Sequence, residues 1–225
     1  MIDYSSFVGA VVALGLGIVL YRRAKRSKVH KSNEPELLFQ DLLPLFSSPN
    51  IQPGKTIGSW QLSGLYEGQN FQVQTIVDTL ATRKLPSLWM MITLPEPQPL
   101  SGTLDLMMRP SGPTTFSNFD FLSHTLPCPD SFPDDAVIRT DLPDMVRHID
   151  FMRPHLDIYR ERHGKEFLLS PKGLRIVALA AQADHARYGV LRQASFGEHI
   201  LDAEMAKRGM DILRAVHQQL RSGNA

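Results

Sequence analysis

IGSWQLSGLYEGQNFQVQTIVD, residues 57–78, is the stretch whose reading decides the fold. Two segments, 57–66 and 70–78, flank Glu67, Gly68 and Gln69, a triplet suited to a tight turn. Phe71, Val73 and Thr75 alternate with polar residues, so one face of the second segment turns to a core and the other to water. Period-2 patterning on both sides of a glycine turn predicts an antiparallel hairpin. Toward the C-terminus, residues 87–94 (SLWMMITL) are an apolar run between Pro86 and Pro95, the pattern of a central strand. Residues 102–109 (GTLDLMMR) follow a proline-rich turn, and the spacing predicts a meander of about four antiparallel strands.

Outward from the meander the pattern becomes mixed. Residues 34–46 (EPELLFQDLLPLF) predict a helix, with Ser32 or Asn33 as cap and Pro35 in the first turn. Leu37, Leu38, Leu42 and Leu45 form its apolar face, and Pro44 ends or kinks it. Residues 47–55 read as a loop. Residues 110–135 read as a long surface crossing with a short strand near 119–123, followed by a strand at 136–140. A helix is expected from Asp141 to about Arg162, kinked at Pro154 and stopped by Gly164. Strands are expected at 166–169, 174–181 and 186–193. A last helix spans 198–221, with Ala206, Met210, Leu213, Val216 and Leu220 on its buried stripe. Glu204, Lys207, Asp211 and Arg214 lie opposite. The expected class is therefore α+β: an antiparallel sheet with covering helices over 34–225.

The segment before this domain differs. Tyr4 to Tyr21 (YSSFVGAVVALGLGIVLY) carries no charge over 18 residues, about 27 Å as a helix, close to a bilayer's hydrocarbon thickness. Tyrosines at both ends suit the interface. No Lys or Arg precedes the run and no small-x-small cleavage site follows it, which argues against a removed signal peptide. The reading is a retained transmembrane signal-anchor at 1–21. Ser5, Gly9, Ala13 and Gly17 recur every four positions and form a helix-packing stripe. Residues 22–33 are a basic linker. Arg22, Arg23, Lys25, Arg26, Lys28 and Lys31 would attract anionic headgroups and place the N-terminus outside, with the following domain cytoplasmic. A bacterial inner membrane is the first choice and a mitochondrial outer membrane the second.

Composition narrows the rest. The 225 residues are 43% hydrophobic and 21% charged, as in an ordinary globular chain. Net charge is +1, but beyond the basic linker 18 basic residues face 22 acidic ones, so a basic surface for nucleic acid is not expected. A single cysteine, Cys128, excludes a disulfide framework.

Each chemical candidate lacks a required part. Pro53-Gly54-Lys55-Thr56 ends like a phosphate loop, but Pro49 stands where the first glycine belongs and a strand pattern follows. His148 and His155, with Asp144, share a helix face, yet two turns separate the histidines by about 10 Å. Cys128 lies between prolines with His124 four residues earlier, far from the helix start that would activate a thiol. The aspartates 130, 134, 135, 141 and 144 contain no glycine for a calcium loop. No Gly-x-Ser-x-Gly, His-Glu-x-x-His or Gly-x-Gly-x-x-Gly occurs. No catalytic residue, metal or cofactor is expected.

The expectation is a membrane-anchored cytoplasmic interaction or scaffold module. Its partners would be the bilayer and a membrane protein or a second copy through the transmembrane helix. Phe116, Phe119 and Phe121 are the candidate contact surface, against the alternative that they pack in the core. An accessory subunit of a larger membrane assembly is a second expectation. A tethered enzyme whose site joins His124 or Cys128 to the Asp144–His155 segment is a third.

Overall fold

Glu67 and Gly68 both take positive φ, 48° and 80°. A two-residue hairpin turn needs that pair of left-handed conformations. The computed structural model describes residues 35–56, 59–78, 85–110, 112, 114–160, 163–183, 196 and 201–223. Among them are nine strands: β1 Ser47–Pro53, β2 Trp60–Tyr66, β3 Gln69–Asp78, β4 Ser87–Leu94, β5 Leu104–Met108, β6 His124–Leu126, β7 Ala136–Thr140, β8 Gly164–Ser170 and β9 Gly173–Gln182. They form one sheet in the order β1-β2-β3-β4-β9-β8-β5-β7-β6, each pair antiparallel.

The order departs from a simple meander. The β8–β9 hairpin is inserted between β4 and β5, so strands consecutive in sequence are parted at the middle of the sheet. Gly173 makes this hairpin possible. Its φ is 151°, and a side chain there would run into the Leu94 carbonyl.

One face of the sheet carries the main core. Leu62, Phe71, Val73, Met90, Ile92, Leu94, Leu104, Leu106, Phe167, Leu169, Leu174 and Ile176 alternate inward there. Ala203–Arg221, here α3, lies across β4 and β9 on this face. It buries Ala206, Met210, Leu213, Val216 and Leu220, and Gly209 lets its backbone approach Ile92. Full burial of each large apolar side chain is worth about 1.5–3 kcal/mol. Asp202 caps the helix, accepting from the amides of Glu204 at 2.9 Å and Met205 at 3.2 Å. Leu38, Phe39, Leu42 and Phe46 close the same core.

The α+β expectation is corrected. The described chain is mostly one large antiparallel sheet with a single long helix at its C-terminal end. The helix expected over 34–46 shrinks to one turn, α1 at Pro35–Leu38, and a 3-10 turn at Leu43–Leu45 with Pro44 at its start. The helix expected over 141–162 becomes 3-10 segments Pro143–Phe151 and Arg153–His155, then one α-turn, α2 at Asp157–Arg160. Pro154 removes an amide donor that a continuous helix would use and its ring crowds the carbonyl four residues earlier, whereas Pro143 stands in the first turn, where proline is tolerated. The loop expected at 47–55 is the edge strand β1, where Pro49 and Pro53 are tolerated because an edge lacks a second ladder. The strand expected at 186–193 lies outside the described residues.

The membrane reading is corrected too. Among the described residues no helix is long and apolar enough to cross a membrane. The long helix α3 carries Glu204, Lys207, Arg208, Asp211, Arg214 and Arg221, so it lies on a sheet with one face wet. The anchor read at 4–21, its packing stripe Ser5, Gly9, Ala13 and Gly17, and the basic residues Arg22, Arg23, Lys25, Arg26, Lys28 and Lys31 lie outside the described residues. The single-pass, signal-anchored and cytoplasm-facing assignments are withdrawn with that finding.

Candidate functional site

The second face of the sheet carries a smaller apolar cluster of Ile76, Met107, Phe116, Phe119 and Val177, with Trp89, Met91 and Val137 packed around it. Charged side chains sit beside it, one from each of four adjacent strands. Glu166 comes from β8, Arg175 from β9, Asp105 from β5 and Arg139 from β7. Asp105 stands opposite Leu168 on one side and Arg139 on the other, while Glu166 is opposite Val177 and Met107. The four therefore share one face on neighbouring diagonals.

Arg175 grips Glu166 with two hydrogen bonds, Nε to Oε2 at 2.6 Å and an NH2 group to Oε1 at 3.0 Å. The Glu166 side chain has no solvent exposure and that of Arg175 keeps 19%. Asp105 is equally buried but has no cation of its own. Burial, reinforced by the Glu166 carboxylate and opposed by Arg175, holds the Asp105 carboxyl well above the usual carboxylate range. Two carboxyls side by side out of water cannot both ionise for one guanidinium. Glu166 keeps the charge that Arg175 neutralises, and Asp105 keeps the proton.

A strap, residues 114–122, covers this network. Phe116 meets Trp89 edge-on with ring centroids 5.7 Å apart, and the Arg139 guanidinium lies 5.2 Å from the Phe119 ring. Between them the Ser117 hydroxyl donates to Asp105 Oδ2 at 3.3 Å and accepts from the Phe119 amide at 3.1 Å. Arg139 also donates to the Asp120 carbonyl at 3.2 Å. A 3-10 turn at Phe119–Phe121 then carries the chain to β6. The strap ends by presenting Phe121, 85% exposed, at the start of the sheet's last strand.

The three phenylalanines singled out in the sequence therefore separate. Phe116 and Phe119 are buried at 8% and 4%, and only Phe121 faces solvent. Leu142 and Val146 are also exposed, on the segment that follows β7. Residues 120–157 hold eight aspartates and three arginines; Asp120, Asp135, Asp150 and Asp157 are ion-paired with Arg139, Arg109, Arg153 and Arg160, and the other four leave the segment with an acidic excess.

The other sequence candidates do not converge. His124 is exposed on β6, paired in register with Thr140. Cys128 is half-buried against the main core, and burial pushes its thiol up, away from a reactive thiolate. His148 is buried and stacks on Phe151 at 5.9 Å. Burial holds His148 and His155 below the ordinary imidazole value. Among the described residues no group of three or more His, Cys, Asp or Glu is placed to hold a metal ion. A groove of about 680 Å³ at the start of α3 is lined by His155, His163, Asp202, Glu204, Lys207, Arg208 and Asp211. Three of its charges have partners of their own: Asp202 caps α3 and Lys207 pairs with Asp211 at 3.2 Å.

Asp105, Glu166 and Arg175 were not singled out from the sequence. The available signal is a charge inside an apolar strand: LDLMM and LRIVAL each hold one and KEFLL holds two, where burial on both faces leaves little room for water.

No protein-family model and no curated protein matches this chain. Among solved structures, the crystal structure of the mycobacterial trehalose monomycolate transport factor A, TtfA, is similar over 72% of this chain and 71% of that chain, with a TM-score of 0.39 and 8% sequence identity.

Proposed function

We propose that the protein is an interaction or scaffold module that docks an extended partner segment along β6, with Phe121 as the apolar anchor. The observation that carries this reading is the 85% exposure of Phe121 on a strap whose other two phenylalanines are buried. An aromatic held out by a fastened backbone brings large contact area at little entropic cost. Among the described residues no strand pairs with the outer side of β6, so its edge offers backbone donors and acceptors to an added strand. The partner class follows from charge. Eight aspartates against three arginines over 120–157 favour a segment in which apolar residues alternate with Lys or Arg.

The test is selection of random dodecapeptides on phage against the full chain, with counter-selection on Phe121→Ser. The expected result is enrichment of basic, alternating apolar sequences whose binding weakens with salt and is lost on the variant. Peptides that bind both proteins equally, or an acidic consensus, would overturn the reading.

A further inference from the structure

The strap at 114–122 covers polar atoms that it does not satisfy. Trp89 Nε1 and Arg139 Nε are buried beneath or beside it and find no hydrogen-bond partner among the described residues, while the protonated Asp105 carboxyl is hydrogen-bonded to Glu166. A buried donor or acceptor left unpaired costs about 1–3 kcal/mol. Closing the strap gains the burial of Phe116 and Phe119 but strands two such atoms, which offset part of that gain. Gly112, at φ 100°, lies just before the strap.

We propose that residues 114–122 form a proton-controlled strap: it lies closed while Asp105 holds its proton and opens when that proton is lost, uncovering Trp89 and the apolar patch around it. The step is a single proton transfer from the Asp105 carboxyl to a base in solvent, with no other bond formed or broken. The result is two adjacent carboxylates, Asp105 and Glu166, with Arg175 already committed to both oxygens of Glu166.

Arg139 is paired in register with Asp105 across the β5–β7 ladder. Arg139 is also what holds the strap, through the Asp120 carbonyl, the Asp120 carboxylate at 4.0 Å and the Phe119 ring. An ionised Asp105, buried beside the Glu166 carboxylate, gains most from water, which reaches it when the strap lifts. The remaining charged or titratable groups around Asp105 do not compensate. Lys165 on β8 donates to the carbonyls of Met108 and Arg109, and Tyr159 donates to the Glu166 carbonyl at 2.9 Å. Because the proton is held more tightly in the closed form than in an exposed carboxyl, closure is complete in acid and is lost as pH rises through the elevated Asp105 value. The proton step itself needs no partner, but the strap carries Phe121, so its opening would also displace the docking anchor at β6.

The experiment uses the full chain labelled with 5-fluorotryptophan. The chain has two tryptophans, Trp60 and Trp89, and Trp60→Phe assigns their fluorine resonances. Between pH 4 and 10 the Trp89 resonance should move toward its solvent-exposed position while that of Trp60 stays, and Asp105→Asn should hold Trp89 in its low-pH position throughout. Chymotryptic cleavage after Phe116 or Phe119, corrected with an unstructured peptide, should quicken about tenfold per pH unit, the slope of a one-proton linkage. The cleavage measurement needs no variant, so it decides the matter even if Asp105→Asn fails to fold. A Trp89 resonance and a cleavage rate both independent of pH would overturn the proposal, as would an Asp105→Asn chain that titrates like the parent.

Discussion

Replacing Arg175 with methionine keeps most of the side chain's stem and removes the guanidinium that holds Glu166. The Glu166 carboxylate has no solvent exposure, so water cannot take over the two hydrogen bonds of 2.6 and 3.0 Å that it loses. Removing one partner of a buried ion pair costs about 3–5 kcal/mol. Arg175 is 19% exposed, so part of its charge is already screened, and the lower end, about 3 kcal/mol, is the expected loss. For a chain of this size that corresponds to a fall in Tm of about 6–12 °C. Urea unfolding of the full chain at pH 7.5 reads the loss directly from the midpoint and slope. The double variant Glu166→Gln/Arg175→Met should recover more than half of the loss. A single variant that loses less than about 1 kcal/mol, the range of an exposed pair, with a double variant no better, would refute the claim that this pair is buried and coupled.

Four further outcomes follow from the same structure. Asp202→Ala should cost about 1 kcal/mol in urea unfolding, because two amides at the start of α3 lose their acceptor. Gly164→Ala should cost about 1–3 kcal/mol, since the added methyl meets the ring of the fully buried Tyr159, and wild-type stability would show that the ring can move. Tyr66 is pushed up to about 12 by burial and by its 2.8 Å hydrogen bond to Asp211, so carbon-13 NMR of labelled tyrosine should find its titration displaced. Asp211→Asn should bring it down, and the stability tied to this raised value is present below about pH 10 and lost above it. Burial holds His217 below the ordinary imidazole value, against the pull of Glu96, and the neutral ring bonds Gln98 at 3.0 Å. Its contribution is present above about pH 6.5 and lost as pH falls, so His217→Gln should flatten the acid limb of stability measured between pH 5 and 7.

The sequence carried local structure better than assembly. Gly68 and the alternation of Phe71 and Val73 marked the β2–β3 hairpin, and the stripe from Ala206 to Leu220 marked α3, because period and turn chemistry act within a few residues. Pro49 and Pro53 hid β1, since a proline reads as loop unless the strand is known to be an edge. The periodicity of 141–162 suggested one helix, but Pro154 limits what the backbone can bond, and the same apolar residues are buried by 3-10 turns. Long-range order was not legible at all: nothing in LRIVALAA states that it pairs with SLWMMITL. The buried network was hidden for the same reason. Asp105, Glu166 and Arg175 lie up to seventy positions apart and become neighbours only through strand order. The exposure of Phe121 beside two buried phenylalanines depends on the Ser117 and Arg139 contacts, which no spacing rule supplies.

The insertion of the β8–β9 hairpin at the middle of the sheet has a consequence for synthesis. When a ribosome has released residues up to about 160, seven of the nine strands exist but the two that join them do not. β4 and β5 then each present a bare apolar edge, in separate three- and four-strand halves that have no ladder to share. Only arrival of residues 164–182 bridges them, which makes this a chain of high contact order whose nascent form needs shielding until nearly finished. A product truncated before residue 164 should be left as two sticky half-sheets, a natural substrate for chaperones and proteases.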